Sequence, residues 1–299
     1  MATIGFIGLG RMGAPMAANL LKAGHRLKVF DIVSDHVQGA VNAGAEAAGG
    51  PGEAASGVEA VVTMLPAGAD VRGIYLGDGG LLAQAAPGTL FMDCSTIDVA
   101  TAREVAEAAE AAGMAMVDAP VSGGVAGAEA ATLTFMVGGG QDAFARAEPI
   151  LQSMGRTVVH AGGAGNGQAA KICNNMILGV SMIAVCEAFM LADKLGLDRQ
   201  TLFDIASKAS GQCWSLTTYC PVPGPVPSSP ANRDYAAGFT AAMMLKDLRL
   251  AQAAAADSGA STPLGAEAAQ LYSLFAAQGG AGTDFSGIIK FLGGKPSAT

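Results

Sequence analysis

The chain has 299 residues, 51% of them hydrophobic and 5% aromatic, with 42 glycines and a formal net charge of −8. That length accommodates two domains of roughly 100–200 residues each, with cores built largely from small side chains. The acidic balance, without any lysine or arginine cluster, excludes a polyanionic partner, because nucleic-acid binding needs a concentrated basic face.

The first expected strand, Ile4–Ile7, breaks straight into Gly8-Leu9-Gly10-Arg11-Met12-Gly13. A helix is expected over Ala14–Ala23, and the next strand, Leu27–Phe30, ends on Asp31. In such an arrangement the first glycine permits the tight turn, the second lets the backbone approach a pyrophosphate, and the third allows close helix–strand packing. The helix N-terminus presents free N–H groups and the positive end of its dipole to the phosphates. Asp31 falls about 20 residues on, where a ribose hydroxyl would sit. These residues predict a dinucleotide site, and the carboxylate, with no arginine directly after it, favours NAD over a 2′-phosphorylated cofactor.

Further strands are expected at Ala60–Met64, Leu90–Asp93, Met114–Asp118, Leu133–Val137 and Val158–His160, with helices such as Ala100–Ala112 and Asp142–Met154 between them. The alternation predicts βαβ units and a mostly parallel sheet. Leu65-Pro66 and Cys94-Ser95-Thr96 follow two of these strands and should line the same sheet edge as the glycine turn. After residue 164 the pattern becomes helical. Gln168–Leu195 reads as one long helix, followed by Asp198–Ala209, Ala241–Asp257, Pro263–Gln278 and Phe285–Leu292. The expected architecture is therefore an α/β Rossmann dinucleotide-binding domain (1–164) followed by an all-α domain built on the long helix (165–299). A Pro-rich stretch, Cys213 to Pro227, is expected as a long loop, ordered or disordered, and Gly293–Thr299 as a short low-complexity tail.

Cys94, Cys173, Cys186, Cys213 and Cys220 form no CxxC pair, and His25, His36 and His160 share no ligand-like spacing. Free thiols in a reducing compartment are expected, with no metal site. The longest apolar run, Met176–Ala192, carries Glu187 and reads as a buried helix rather than a membrane span. A strand begins within a few residues of Met1, which leaves no room for a targeting segment, so a soluble, cytoplasmic protein is expected.

Three constellations could carry chemistry. In Asp118-Ala-Pro-Val-Ser122-Gly123-Gly124, a hydroxyl precedes two glycines whose successive N–H groups can cradle an anion such as a carboxylate. Lys171 and Asn175 lie one helical turn apart and so share a face of the long helix. Lys246-Asp247 sits in an otherwise apolar run, where a charged pair is costly unless paired or used. Trp214 and Tyr219, in the Pro-rich stretch, could form an apolar wall, offer ring faces to an ammonium, or pack the loop onto the helices.

Taken together, Phe6-Ile-Gly-Leu-Gly-Arg-Met-Gly-Ala-Pro-Met-Ala-Ala-Asn-Leu20, Asp118-Ala-Pro-Val-Ser-Gly-Gly, Gly165-x-Gly167-x-x-x-Lys171-x-x-x-Asn175 and Lys246-Asp247-Leu248 resemble the ordered motifs of the β-hydroxyacid dehydrogenases across essentially the whole chain. The Trp214–Pro227 stretch is similar to the 3-hydroxyisobutyrate dehydrogenase branch, some bacterial members of which oxidise L-serine. The resemblance implies an oxidoreductase of amino-acid catabolism, including valine degradation, that oxidises 3-hydroxyisobutyrate or L-serine with NAD. A semialdehyde reductase of the tartronate type and a non-catalytic dinucleotide-binding protein are the alternatives. It further implies Lys171 as general base, assisted by Asn175. Ser122, Gly123, Gly124, Trp214, Tyr219 and Asp247 would form the substrate site. Gly8, Leu9, Gly10, Arg11, Met12, Gly13, Asp31, Leu65, Pro66, Thr96 and Lys246 would face the cofactor, and the subunits would form a dimer or tetramer. A free lysine has a pKa of about 10.4, so base chemistry near neutrality calls for desolvation or a nearby cation.

Overall fold

The computed structural model describes residues 1–294; the last five residues of the expected helical domain and of the Gly293–Thr299 tail lie outside the described residues. The chain divides into two compact units, Met1–Lys171 and the remainder from Ile172.

The first unit is a nine-stranded sheet of β1 (Thr3–Ile7), β2 (Arg26–Phe30), β3 (Glu46–Ala47), β4 (Ala60–Thr63), β5 (Leu90–Asp93), β6 (Ala115–Asp118), β7 (Val121–Ser122), β8 (Leu133–Gly138) and β9 (Gly155–Gly162). The helices α1 (Gly13–Lys22), α2 (Ser34–Asn42), α3 (Pro51–Ala55), α4 (Gly68–Leu76), α5 (Leu81–Gln84), α6 (Val99–Ala111), α7 (Gly124–Glu129) and α8 (Gln141–Leu151) connect them. Strand order is β3-β2-β1-β4-β5-β6-β8-β7, with β9 paired to β8. Pairing is parallel from β3 to β6, whereas β8 runs antiparallel to β6 and β7. The two-residue strands β3 and β7 carry too little alternation to be read from sequence.

Strands β1, β4 and β5 are apolar at almost every position because both sheet faces are covered. Ile4, Phe6, Val62 and Met92 enter one core, and Ile7, Val61 and Phe91 enter the other. The chain reverses its direction of sheet growth between β1 and β4, the topological switch point where such sheets bind ligands. Ile7, Thr63, Asp93 and Asp118 are successive register partners across β1, β4, β5 and β6. The segments that leave these strands therefore emerge along one edge, as their spacing predicts.

Helix α9 (Asn166–Leu195) begins in the first unit and runs for 30 residues, about 45 Å at 1.5 Å per residue. The second unit adds α10 (Arg199–Ala206), α11 (Trp214–Thr217), α12 (Ala241–Ser258), α13 (Pro263–Ala277) and α14 (Ile288–Leu292). Gly179 sets the contact of α9 with α12: a Cβ there would press against Met244 and Leu248 at 3.1 Å. Met182, Cys186, Met244, Leu248, Tyr272 and Phe285 form the centre of this core. The Pro-rich stretch takes the ordered one of its two expected forms, with one short helix, α11, in it. The neighbouring Pro230–Arg233 forms a 3₁₀ turn capped by Ser229. Among the described residues α9 is the one helix long and apolar enough to cross a membrane. Its apolar residues Met182, Ile183, Cys186 and Phe189 are instead buried in the two cores of the second unit.

Candidate active site

The glycine turn between β1 and α1 has the geometry that its spacing predicts. Gly8 adopts φ +92°, a left-handed conformation that favours glycine, and a Cβ there would collide with the Met64 carbonyl. At Gly13 a Cβ would strike the Gly8 carbonyl, whereas at Gly10 it would meet nothing within 4 Å. Two of the glycines are thus required by the fold, and the middle one leaves space above the backbone. The α1 N-terminus, at Met12, has no side-chain cap. Open space, an uncapped helix start and the switch-point edge fit the pyrophosphate of a dinucleotide. Arg11 is exposed, and Leu9 turns its side chain into the core.

Asp31 is held in place by the backbone. The Leu9 N–H donates to its Oδ2 at 2.6 Å and the Val33 N–H to its Oδ1 at 2.8 Å, with His36 Nδ1 3.3 Å from Oδ1. The acid is fixed beside the glycine turn, as a ribose-binding carboxylate must be.

Behind the other loops on this edge lies a buried polar network. Asp93 Oδ1 accepts from the Thr63 hydroxyl (2.7 Å), the Ser95 hydroxyl (2.6 Å) and the Ser95 N–H (3.2 Å). Ser95 Oγ in turn accepts from the Leu65 N–H at 2.8 Å. The loop that carries Leu65 and exposed Pro66 is thereby tied to the loop that carries Thr96. Burial raises the pKa of Asp93, and its Oδ2 has no partner, the pattern of a carboxyl that keeps its proton more readily than an exposed one.

Asp118, at the end of β6, is 3% exposed and accepts from the Gly165 N–H and the Gln168 N–H, each at 2.8 Å. Burial pushes its pKa up to about 6 despite these two donors. The Ser122-Gly123-Gly124 turn follows. Gly123 (φ +132°) and Gly124 (φ +62°) both lie where L side chains are strained. Ser122 is partly exposed and Gly123 exposed, as an anion cradle requires. Lys171, five residues into α9, is only 6% exposed. A solvated surface lysine is ruled out.

In the second unit Asn175 and Asp247 are joined: Asn175 Nδ2 donates to Asp247 Oδ2 at 2.5 Å, and both are almost fully buried. Asn175 Oδ1 accepts from Asn174 at 2.9 Å, and Lys246 Nζ lies 3.5 Å from Asp247 Oδ1. The Lys246-Asp247 pair is therefore split by exposure, the acid inside and the amine half-exposed. Trp214 stacks on Tyr219 (4.8 Å between centroids, 20° between planes), which stacks on Phe285 at 5.3 Å. Tyr219 donates its hydroxyl to buried Asp284 at 2.9 Å. Burial, then the Asp284 charge, drives the phenol pKa far above its ordinary value. Trp214 keeps 49% of its surface exposed.

Asp93, Gln168 and Asp284 escape the sequence reading. Each is a buried polar residue within an apolar or helical pattern. An acid as the last residue of a buried strand is a usable signal for Asp93, whereas Gln168 and Asp284 carry none. Among the described residues no group of three His, Cys, Asp or Glu could hold a metal ion.

Residues 3–163 match the family model for the NAD-binding domain of 6-phosphogluconate dehydrogenase. Residues 165–292 match the model described as the NAD-binding domain of NADP-dependent 3-hydroxyisobutyrate dehydrogenase. The chain is 52% identical to a probable 3-hydroxyisobutyrate dehydrogenase of Mycobacterium bovis, covering all of both chains. It is also 52% identical to an NAD-dependent L-serine dehydrogenase of Pseudomonas aeruginosa, covering 98% of each. The solved structure of Mycobacterium tuberculosis 3-hydroxyisobutyrate dehydrogenase with L-serine superposes with a TM-score of 0.94 at 53% identity, covering 98% of this chain and 99% of that one.

Proposed function

Because the chain belongs to the β-hydroxyacid dehydrogenase family, in its 3-hydroxyisobutyrate dehydrogenase branch, we propose that it oxidises small 3-hydroxy acids, 3-hydroxyisobutyrate and L-serine, to their semialdehydes with NAD. The observation that carries the reading is a buried lysine, Lys171, in the first turns of α9, with the Asn175 amide one turn further on.

When bound, the nicotinamide supplies the hydride acceptor. The remaining work falls to the chain. The Gly8–Gly13 turn, with Arg11 and Met12, holds the pyrophosphate at the start of α1. Asp31 takes the ribose hydroxyls, and Leu65, Pro66 and Thr96 flank the cofactor, with Lys246 as a further contact. Asp31 is the reason for choosing NAD: a carboxylate fixed by two backbone N–H groups repels a 2′-phosphate. Ser122 and the Gly123–Gly124 backbone receive the substrate carboxylate. Lys171 takes the proton from the 3-hydroxyl as hydride leaves the same carbon. Asn175, locked by Asp247, orients the substrate. Trp214, backed by Tyr219, faces the group on the carbon between carboxylate and carbinol.

The division of labour would be a cofactor domain over 1–164 and a substrate and assembly domain over 165–299. Self-association as a dimer or tetramer has support in the exposed Ile177, Leu191 and Leu195 of α9; light scattering of Leu191→Glu against the native protein tests it. Free thiols throughout support a cytoplasmic location.

The test of the reaction is NADH formation from 3-hydroxyisobutyrate and L-serine, with NAD against NADP. Lys171→Ala should lower kcat by about 10²–10⁴-fold while NAD still binds. Turnover within tenfold of the native protein would overturn the role of Lys171, and no NADH from any hydroxy acid would overturn the reaction.

A further inference from the structure

Gln168 is a fully buried amide on the first turn of α9, and all its polar groups are committed. Its Nε2 donates to the Ser95 carbonyl at 2.8 Å, its Oε1 accepts from the Ile97 N–H at 3.1 Å, and its own N–H donates to Asp118 Oδ2 at 2.8 Å. Ser95 is the residue whose hydroxyl holds the Leu65 N–H. Hydrogen bonds therefore run without interruption from the Leu65 loop through Ser95 to Gln168 and on to Asp118. The two bonds from the Gln168 amide bracket Thr96, on the loop assigned to the cofactor. There is also no slack behind the helix. A Cβ at Gly167 would collide with the Met136 carbonyl and approach the Asp118 carbonyl to 2.6 Å, so the start of α9 is pressed against β6 and β8. Lys171 follows Gln168 by three residues, about 4.5 Å along a continuous helix.

We propose that Gln168, secured by Asp118, is the positioning residue that sets Lys171 in register with the cofactor loop at Ser95–Ile97. The proposal rests on the reading of Lys171 as the base. A helix needs no buried glutamine in its first turn to form; an amide here satisfies one donor and one acceptor of a loop that belongs to other strands. The two bonds, to groups either side of Thr96, resist a slide of α9 past the loop, and a misplacement of about 1 Å at a reacting centre costs about 10²-fold in rate.

The test uses two shape-conserving substitutions in the full chain. Gln168→Met removes both amide bonds. It should lower kcat about 10²-fold, with the KM for the hydroxy acid and the Kd for NAD held within about threefold of the native values. Gln168→Glu adds a titration: when protonated, the carboxyl donates to Ser95 and accepts from Ile97 as the amide does, and when ionised it opposes the Ser95 carbonyl. Burial raises the pKa of the introduced acid. The ratio of its kcat to that of the native enzyme should therefore climb as pH falls. A folded Gln168→Met protein with native kcat, or a Gln168→Glu ratio that is flat with pH, overturns the proposal; the second measurement stands even where Gln168→Met does not fold. Lys171→Ala, assayed in parallel, separates the two failures. If it stays active the base assignment falls, and if it is inactive beside an unaffected Gln168→Met only the positioning role falls.

Discussion

The two units recognise by different means. In Met1–Lys171 the candidate contacts are mostly main chain: the glycine turn, the α1 N-terminus, the Ser122–Gly124 turn and an acid pinned by two N–H groups. From Ile172 onward they are side chains fixed by other side chains: Asn175 by Asp247, and Tyr219 by Asp284 beneath Trp214. Main-chain sites depend on the absence of side chains and tolerate almost no substitution. Sites made of side chains degrade by degrees, because each group removed leaves its partners in place.

The glycine turn should give the sharpest evidence for this contrast. Gly13→Ala drives a methyl into the Gly8 carbonyl, so the first unit should lose stability by at least the ~1–3 kcal/mol usual for overpacking, with NAD binding lost too. Gly10→Ala meets no atom within 4 Å. Its melting temperature should match the native protein, while NAD affinity falls at least about tenfold, or about 1.4 kcal/mol. Calorimetric melting combined with NAD titration separates the two, and unchanged NAD affinity in Gly10→Ala would remove the pyrophosphate from this turn.

Asp118 sharpens the comparison through pH. Its pKa stands at about 6 in the folded protein against an ordinary 3.8. Between those values the folded state holds more protons than the unfolded chain, so stability falls as pH rises through that window, by up to ~3 kcal/mol. Above about 6 this contribution is lost. Chemical denaturation across the window should reveal the slope in the native protein and its absence in Asp118→Asn. The same slope in both proteins would place the titration elsewhere.

In the helical unit the corresponding substitution is Asp247→Ala. It strips the acceptor from the buried Asn175 amide, a loss of about 1–3 kcal/mol, and frees the amide to rotate. The expected result is a raised KM for the hydroxy acid with NAD affinity unchanged. A fall in NAD affinity alone would assign Asp247 to the cofactor instead of the substrate.

The same contrast explains what could be read from sequence. Glycine spacing encodes a main-chain site directly, so the turn, Asp31 and the Ser122–Gly124 cradle stand out from residue order, and the parallel sheet follows from apolar runs. Lys171 and Asn175 stand out because helical periodicity puts them on one face. The partners do not. Gln168 meets Ser95 across 73 positions, Asn175 meets Asp247 across 72, and Tyr219 meets Asp284 across 65, distances that no local pattern spans. The proline-rich segment leaves order and disorder open for a related reason. Its order comes from Ser229 binding the Cys220 carbonyl, Tyr235 binding the Pro221 carbonyl and the Trp214–Tyr219–Phe285 stack, whereas its composition signals only a loop.

The smallest expected effect is also the most discriminating for the helical unit. Tyr219→Phe deletes one hydroxyl that donates to Asp284 Oδ2, but that oxygen still accepts from the Gly238 and Phe239 N–H groups at 3.0 and 3.2 Å, and Oδ1 still accepts from Ser286. No buried charge is left unpaired, so the loss should stay near 1 kcal/mol of stability. The phenyl ring still carries Trp214, and kcat/KM should stay within about twofold of native. Tyr219→Leu removes the stacking platform, worth about 0.5–1.5 kcal/mol, and should raise KM through a loosened Trp214 without changing NAD affinity. If Tyr219→Phe instead costs as much kcat/KM as Tyr219→Leu, the hydroxyl reaches the substrate, and Asp284 tunes a contact group rather than anchoring a scaffold.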